Sequence, residues 1–412
     1  MKSLTIALIG YGCVGKGLHS ILQKTKHIKV NIKYFVVKDE NKERDLPKSL
    51  FTYNWRVAVY DPEVDVIVEL IDDANEAYKI ALAAIKEGKH VVSANKHMIA
   101  NHLEELITLQ EKNNVSFLYE AAVAGSIPII RNLEEYYDNE LLSSVSGIVN
   151  GSTNYILTKI AAGLSLEQSK QVAFDNGFLE TDARLDIEGY DAKFKLCILA
   201  QHAFGISLNP DEVLNIGINQ LTDEDFYWAK QQGAKIKLVA RIFKESDNKV
   251  VAGVFPELVF ENDVLYHVDN EQNAVKLHGA FSDHQTLSGK GAGAYPTGSA
   301  VLSDITALTY QYRYEYKKRK QNKQGVLLNN IALVKVYFRY QESKQLDAIQ
   351  FSSIEAWHVD EKQKYVVGNI SIANLINAKQ NQGLDGSSFI LLSNQTTAES
   401  VVVGQQLEEV EV

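Results

Sequence analysis

The chain is 412 residues long, 45% apolar and 9% aromatic, with a formal net charge of −10. That length and apolar content suffice to bury two or three cores, and the acidic balance argues against nucleic acid or an anionic membrane surface as a general partner. No apolar run reaches membrane length, and the opening MKSLTIALIG runs straight into glycines, so it reads as a strand and not a signal peptide; a cytoplasmic location is expected.

Residues 4–9 form an apolar strand pattern that runs into Gly10-Tyr11-Gly12-Cys13-Val14-Gly15 and then a helical pattern. A Gly-x-Gly-x-x-Gly alone is weak evidence. After a strand and at the start of a helix, however, its glycines let a dinucleotide pyrophosphate approach the backbone N–H groups. Gly10, Gly12, Cys13, Val14 and Gly15 are therefore the candidate cofactor cradle, against the plainer reading of a tight turn without ligand. Cys13 and the other cysteine, Cys197, both sit in apolar patterns away from any metal-ligand spacing, and are expected to be reduced thiols in or near the core.

The next strand, 30–37, ends in Lys38-Asp39-Glu40-Asn41-Lys42, with Arg44 beyond. An acid at that place takes a ribose hydroxyl and a base suits a 2′-phosphate. Both are present, which leaves NAD and NADP open; Lys38, Lys42 and Arg44 tilt the reading to NADP, with Lys38 as a candidate contact. A strand at 65–71, a helix at 75–87 stopped by Gly88, and a strand at 90–93 complete the pattern of a parallel, doubly wound sheet. Ser93-Ala94-Asn95-Lys96 then brings polar groups to a strand's carboxyl end, where such sheets bind ligands. Ser93 and Lys96 are candidates there, although Lys96 also reads as an exposed loop lysine. A helix at 102–112 and a strand at 115–119 lead to the small-residue turn from Glu120 to Pro128. Its carbonyls suit a monovalent cation or the cofactor ring, or it is a close-packed crossover.

A strand at 145–149 enters Asn150-Gly151-Ser152-Thr153-Asn154, in which Ser152, Thr153 and Asn154 each compete as N-cap for a helix at 155–162. That helix start suits an anionic group such as a substrate carboxylate. Ser165 with Gln168 reads as a capping box opening a helix at 166–176, with Gly177 past its end. The following stretch gathers Asp175, Glu180, Asp182, Asp186, Glu188 and Asp191 around Gly177 and Gly189, then closes on Lys193 and Lys195. Asp191 and Lys195 fall on one face of a helix's first turn. Such an i,i+4 pair is usually surface decoration, but an acidic loop in front of it repels itself unless something cationic satisfies it, and a polar pocket is expected.

Residues 209–285 are mixed, with a helix at 223–232 and strands at 236–243, 250–255 and 274–277. A glycine-rich turn at 288–299, including Gly291 and Gly293, precedes a helix at 300–308 expected to return to the first domain and close over the cofactor. The basic run 317–320 reads as a solvated helix end or linker. Beyond it, 328–412 forms a third unit with strands at 332–339, 353–359, 365–371 and 388–392 and a helix at 372–378. An α/β fold class is expected: a Rossmann-type doubly wound dinucleotide-binding domain at 1–130, completed by about 290–315, an α+β domain at 131–289, to which only family resemblance assigns substrate binding and dimerisation, and a small α+β C-terminal module.

These motifs together resemble the homoserine dehydrogenases over roughly the first three quarters of the chain: GYGCVG, SANK ending at Lys96, EAAVAGSIPII from Glu120, GIVNGSTNYIL from Gly147, GFLETDARLDIEGYDAKFK from Gly177 and GAGAYPTGSAV from Gly291. The resemblance implies reversible NAD(P)-linked interconversion of L-aspartate 4-semialdehyde and L-homoserine, on the way to threonine and methionine, by a homodimer or larger homo-oligomer. Lys195 matches the acid/base lysine, with Lys96, beside cofactor and substrate, as the rival donor. Glu180 and Asp191 match substrate-site carboxylates, Asp186 a further acid, and Gly293 a cofactor-contacting glycine. Glu120, Val123, Gly125 and Ile127 match a sodium-binding turn. Longer bacterial members append an ACT domain that binds an amino acid; with YQESKQL from Tyr340 in place of a Pro-Gly turn, 328–412 is expected to be a degenerate ACT-like module. Two other readings are weighed. Tyr155 and Lys159 have the Tyr-x-x-x-Lys spacing of short-chain dehydrogenases, but behind the wrong glycine spacing. A non-catalytic NAD(P)-sensing regulator would leave Glu180, Asp191 and Lys195 without a task.

Overall fold

In the computed structural model, which describes residues 3–139, 141–179, 182–321, 325–360, 363–380 and 385–392, the near-continuous apolar strands of the amino-terminal third do what such strands require and bury both faces. β1 (Leu4–Ile9), α1 (Cys13–Lys24), β2 (Val30–Val36), β3 (Phe51–Thr52), α2 (Trp55–Val59), β4 (Val66–Glu69), α3 (Ala74–Lys86), β5 (His90–Ser93), α4 (Lys96–Asn113) and β6 (Phe117–Leu118) alternate as the sequence implies. The six strands are parallel in the order β3-β2-β1-β4-β5-β6. The order reverses between β1 and β4, and ligands of such sheets lie outside the carboxyl ends at that point. α4 begins six residues before the expected start, because Asn95 accepts from Met98 N at 2.9 Å and caps it.

Next come α5 (Ile129–Arg131), β7 (Leu142–Ile148), α6 (Gly151–Ala161), α7 (Leu166–Asp175), α8 (Arg184–Ile187), α9 (Tyr190–Phe204), β8 (Leu214–Asn215), α10 (Asp223–Gln231), β9 (Ala234–Ser246), β10 (Lys249–Phe260), β11 (Gln272–Gly279), β12 (Asp283–Lys290), α11 (Ala294–Leu308) and α12 (Lys317–Gln321). The chain ends in β13 (Leu327–Leu328), β14 (Leu333–Arg339), α13 (Ser343–Asp347), β15 (Ser353–Val359), β16 (Lys364–Ser371), α14 (Ile372–Gln380) and β17 (Ser388–Leu392). Eleven strands form one mixed sheet whose main path is β12-β11-β7-β9-β10-β17-β14-β16-β15. The carboxyl-terminal strands therefore continue the second sheet: β17 runs parallel to β10, with Glu257 opposite Leu391. The buried pair Arg339–Asp225, 2.9 Å, ties them to α10 as well.

α9 is the hinge of the architecture. It starts at Gly189 (φ 82°) and stops at Gly205 (φ 68°), both in the left-handed region that favours glycine. Every residue from Asp191 to Phe204 is buried, as expected of a helix enclosed on all sides. It packs on α4 in front, where the His97 ring stacks on Phe194 at 4.4 Å, and on β7, β9 and β10 behind.

α11 does return to the first sheet. It also starts six residues before the expected 300, at Ala294, and lies so close to α1 that a Cβ on Gly17 would stand 2.0 Å from Ala294 O and one on Gly298 2.8 Å from Leu18 N. The basic run is no solvated linker throughout. α12 docks on the end of α9, and Lys318 Nζ donates to His202 O at 3.0 Å and Leu133 O at 3.3 Å, with burial lowering its pKa to about 8. Of the two cysteines, Cys197 is buried, its thiol pushed up to about 12 by desolvation. Cys13 is exposed, contrary to the core reading, because it opens α1 on the crevice side.

Candidate active site

The i,i+4 spacing of Asp191 and Lys195 puts both on the first turns of α9, and the fold makes that pair a buried one. Lys195 Nζ donates to Asp191 Oδ2 at 2.6 Å and to Val149 O, just past β7, at 2.7 Å. The other oxygen of Asp191 lies 3.1 Å from Lys96 Nζ, brought in by the first residue of α4. Asn150 completes the group: its Nδ2 donates to Asp191 Oδ2 at 2.9 Å and to Asp186 Oδ1 at 2.7 Å. Three segments far apart in sequence thus converge on one carboxylate.

Electrostatics separates the two lysines. Burial lowers the pKa of Lys195, more than the neighbouring Asp191 raises it. Lys96 is driven upward, chiefly by Asp191. Burial alone would raise Asp191, but the ammonium groups of Lys195 and Lys96 hold it well below the usual carboxylate range. Asp186 moves up, through burial and then the charge of Asp191. One amine is thereby eased toward giving up a proton while the other stays charged, beside a carboxylate that remains ionised.

Two other acids of the stretch, Asp175 and Asp182, do not join this group. Asp175 accepts from Gln171 at 2.8 Å, and Asp182 pairs with Arg184 at 2.8 Å, both exposed. Glu180 lies outside the described residues. Lys193 is buried with its ammonium over the Tyr190 ring at 4.7 Å. The helix after β7 is capped by Asn150, which accepts from Thr153 N at 2.8 Å, and not by Ser152, Thr153 or Asn154. Asn154 serves instead as a brace, its Nδ2 donating to the carbonyls of Val268 and Asn270 at 3.0 and 2.9 Å. Tyr155 packs on Phe178 at 4.5 Å and its hydroxyl accepts from Asn176 Nδ2 at 3.5 Å.

The first glycine turn fits a dinucleotide. Gly10 has φ 101° and a Cβ there would stand 2.6 Å from Leu70 O, in the loop after β4; a Cβ on Gly15 would stand 2.3 Å from Gly10 O. At Gly12, the cap of α1, no atom lies within 4 Å of where a Cβ would be, and no side chain caps the helix N–H groups. Close packing below and open backbone donors above are what a pyrophosphate needs. Val14 stands in that first turn of α1, Ser93 ends β5 and Gly293 (φ 118°) caps α11. Lys38 is exposed after β2. Arg44 Nη1 donates to Lys42 O at 2.8 Å while its guanidinium lies over Phe51.

The turn from Glu120 to Ile127 is pinned to the strand that leads into α11, since Ser126 N donates to Lys290 O at 3.1 Å. Glu120 is buried, its two oxygens accepting from Ile130 N at 2.8 Å and Arg131 N at 2.9 Å. Ile127 O accepts from Ile129 N at 2.8 Å. Asp304 accepts from Glu120 N at 2.9 Å and pairs with Arg131 at 2.9 Å. Burial, then Asp304, pushes Glu120 up to about 8; burial pushes Asp304 up to about 6. The guanidinium of Arg131 pairs with Asp304, while the oxygens of Glu120 meet backbone N–H groups, and a monovalent cation beside Val123, Gly125 and Ile127 would balance a second carboxylate there.

A family model described as "Homoserine dehydrogenase, NAD binding domain" matches residues 10–120, and one described as "Homoserine dehydrogenase" matches residues 128–306. The chain is 38% identical over 323 residues to a homoserine dehydrogenase of Bacillus subtilis, spanning 76% of this chain and 74% of that protein. It is 35% identical over 314 residues to one of Neisseria gonorrhoeae, with 74% and 72% covered. A solved homoserine dehydrogenase from Thiobacillus denitrificans superposes with a TM-score of 0.82 at 29% identity, over 95% of this chain and 99% of that one. A hyperthermophilic archaeal homoserine dehydrogenase mutant in complex with NADPH gives 0.65 at 26% identity, over 76% of this chain and all (100%) of that one.

Proposed function

This chain belongs to the homoserine dehydrogenase family, and from that premise we propose how its own residues run the reaction. The enzyme is an NAD(P)-dependent oxidoreductase that interconverts L-aspartate 4-semialdehyde and L-homoserine. When bound, the nicotinamide supplies the hydride. The chain supplies orientation and the proton.

Lys195 is the proton donor to the oxygen that was the aldehyde carbonyl. Its lowered pKa, with Asp191 and the Val149 carbonyl holding the amine, supports that role. Lys96, kept charged by Asp191, stabilises the same developing negative charge without giving up its proton. Asp191 holds both amines at one place, and Asn150 holds Asp191. Asp186, with Glu180 from the loop ahead, takes the substrate's α-ammonium. In the reverse direction Lys195 recovers the proton from the homoserine hydroxyl. The single observation that carries this reading is the buried Asp191 gripped by two lysines from separate helices.

Gly10, Gly12, Cys13, Val14 and Gly15 receive the pyrophosphate, with Ser93, Lys96 and Gly293 along the rest of the dinucleotide. NADP is the preferred cofactor; the exposed Lys38 and Arg44 after β2 suit a 2′-phosphate. Glu120, Val123, Gly125 and Ile127 would hold a sodium ion, which would offset a carboxylate there, a structural task apart from the proton transfer.

The test is a spectrophotometric assay following loss of NADPH, or of NADH, with aspartate semialdehyde. Turnover with both and a lower KM for NADPH is expected. No consumption of either cofactor would sink the assignment, and a lower KM for NADH would reverse the cofactor preference alone.

A further inference from the structure

One buried carboxyl near the cofactor crevice has no part in the scheme above. Glu69 is the last residue of β4, opposite Ser93 at the end of β5, on a strand that borders the place where the strand order reverses. It has no exposed surface. A carboxyl in such a place costs desolvation that an apolar side chain would not, so its partners decide what it does there.

Those partners lead in one direction. Glu69 Oε1 accepts from Ile71 N at 2.7 Å, and Oε2 accepts from Ser93 Oγ at 2.5 Å. Ser93 Oγ accepts in turn from Asn95 N at 3.1 Å. Asn95 Oδ1 accepts from Met98 N at 2.9 Å, and its Nδ2 donates to Ile71 O at 2.9 Å. The residue after Asn95 is Lys96, whose ammonium lies 3.1 Å from Asp191. The same two loops, 69–72 and 93–96, are thus stitched together by the Ser93–Glu69 and Asn95–Ile71 bonds immediately behind that lysine.

We propose that Glu69 is a positioning residue for the reduction: through Ser93 and Asn95 it fixes the start of α4, and with it the placement of the Lys96 ammonium on Asp191. The proposal rests on the role given to Lys96 above. Oε1 of Glu69 faces the fixed N–H of Ile71 and Oε2 the hydroxyl of Ser93, so the ionised carboxylate accepts at both oxygens. Protonation at Oε2 reverses the bond to Ser93, whose hydroxyl hydrogen must turn away, and replaces a charge-assisted bond with a weaker neutral one, which loosens the stitch. The neighbouring strands present Ile9 from β1 and Ser93 from β5, neither charged, and the charge that Glu69 feels is that of Asp72 beyond β4. Burial, against the hydrogen bonds from Ser93 and Ile71 and with the charge of Asp72, pushes Glu69 up to about 7, which places the change near neutral pH.

The test is steady-state kinetics from about pH 6 to about pH 9 on the wild type, Glu69→Gln, Glu69→Ala, Ser93→Ala and Lys96→Ala. Wild-type kcat is expected to rise through an inflection near pH 7, where Glu69 titrates. Glu69→Gln, permanently neutral and nearly the same shape, flattens that inflection and stays at the acid-limb value, while its NADPH affinity changes by less than about twofold and its melting temperature is kept. Glu69→Ala lowers kcat by about tenfold, the size of effect a small misplacement of a reacting group produces. Glu69→Ala combined with Lys96→Ala is no slower than Lys96→Ala alone, because both act on one group. Should Glu69→Ala not fold, Ser93→Ala cuts the same link and must also flatten the inflection.

A Glu69→Gln enzyme with the wild-type pH profile, or losses at Glu69 and Lys96 that multiply, overturns the proposal. If Lys96→Ala is slow while every Glu69 and Ser93 variant is normal, the relay falls and Lys96 keeps its role; if Lys96→Ala itself turns over normally, both fall.

Discussion

Asp191 and Glu120 are both buried carboxyl groups within a few residues of a helix start, yet their surroundings drive them in opposite directions. Asp191 and the adjacent Asp186 meet two ammonium groups, Lys195 and Lys96, and the set is balanced. Glu120 and Asp304 meet Arg131 alone, and both carboxyls rise, to about 8 and about 6. A balanced cluster can shift a proton between members and return to where it began, which is what a reaction cycle requires. An unbalanced one is held only by taking up a proton or a cation, which is what a fixed structural site requires. Charge count, more than residue type, divides the two.

The contrast breaks most severely at Lys195. Lys195→Ala is expected to lower kcat for reduction by about a hundred- to ten-thousand-fold, the range a positioned proton donor supplies, while NADPH binding followed by fluorescence survives. Turnover within a few fold of wild type would take the donor role from Lys195. A smaller effect sharpens the other side. A carboxyl whose folded pKa is raised contributes stability that is full at acid pH and is lost as pH rises through that folded value. Asp304 and Glu120 therefore weaken the fold as pH rises from the ordinary carboxylate range to about 6 and to about 8 respectively. Above that range NaCl should raise the melting temperature by about 2 °C or more over choline chloride at equal ionic strength, a shift equivalent to roughly 1 kcal/mol. Glu120→Gln should remove the difference. Equal melting curves in the two salts would leave the cluster without a sodium site. The smallest expected change is at Tyr155, a group outside both clusters: with its ring on Phe178 and its hydroxyl on Asn176, Tyr155→Phe should alter kcat by less than about twofold, and a large loss would revive the Tyr-x-x-x-Lys reading.

Legibility followed locality. The strand–helix alternation of the first domain, the glycine turn, the capping box at Ser165 and the Asp191–Lys195 pair rest on neighbours within a few residues, and each could be read along the chain. Asn150 could not: it stood next to three competent caps, and what sets it apart is reach to Asp186 and Asp191, about forty positions on, which only the fold supplies. Glu69 was hidden for a similar reason, as one acid ending an apolar strand whose meaning comes from Ser93 across the sheet. α4 and α11 start earlier than expected because Asn95 and Gly293 act as caps within stretches otherwise taken for loops. β12 was missed outright; DHQTLSGK has scattered polar side chains because it lies at an edge of its sheet. The strands after residue 328 were readable, but not their union with β10, which depends on a parallel pairing across more than a hundred residues of chain.

The contact between α1 and α11 has a bearing on how the polypeptide is made. Gly17 and Gly298 let two helices touch backbone to backbone, although one belongs to the beginning of the chain and the other is followed by no more than its last quarter. During translation the nucleotide-binding domain therefore waits, with one flank of its first helix uncovered, until α11 has left the ribosome tunnel. A fragment ending at residue 130 would keep that flank bare to water, so a chaperone has most to shield in the interval between the two helices' emergence.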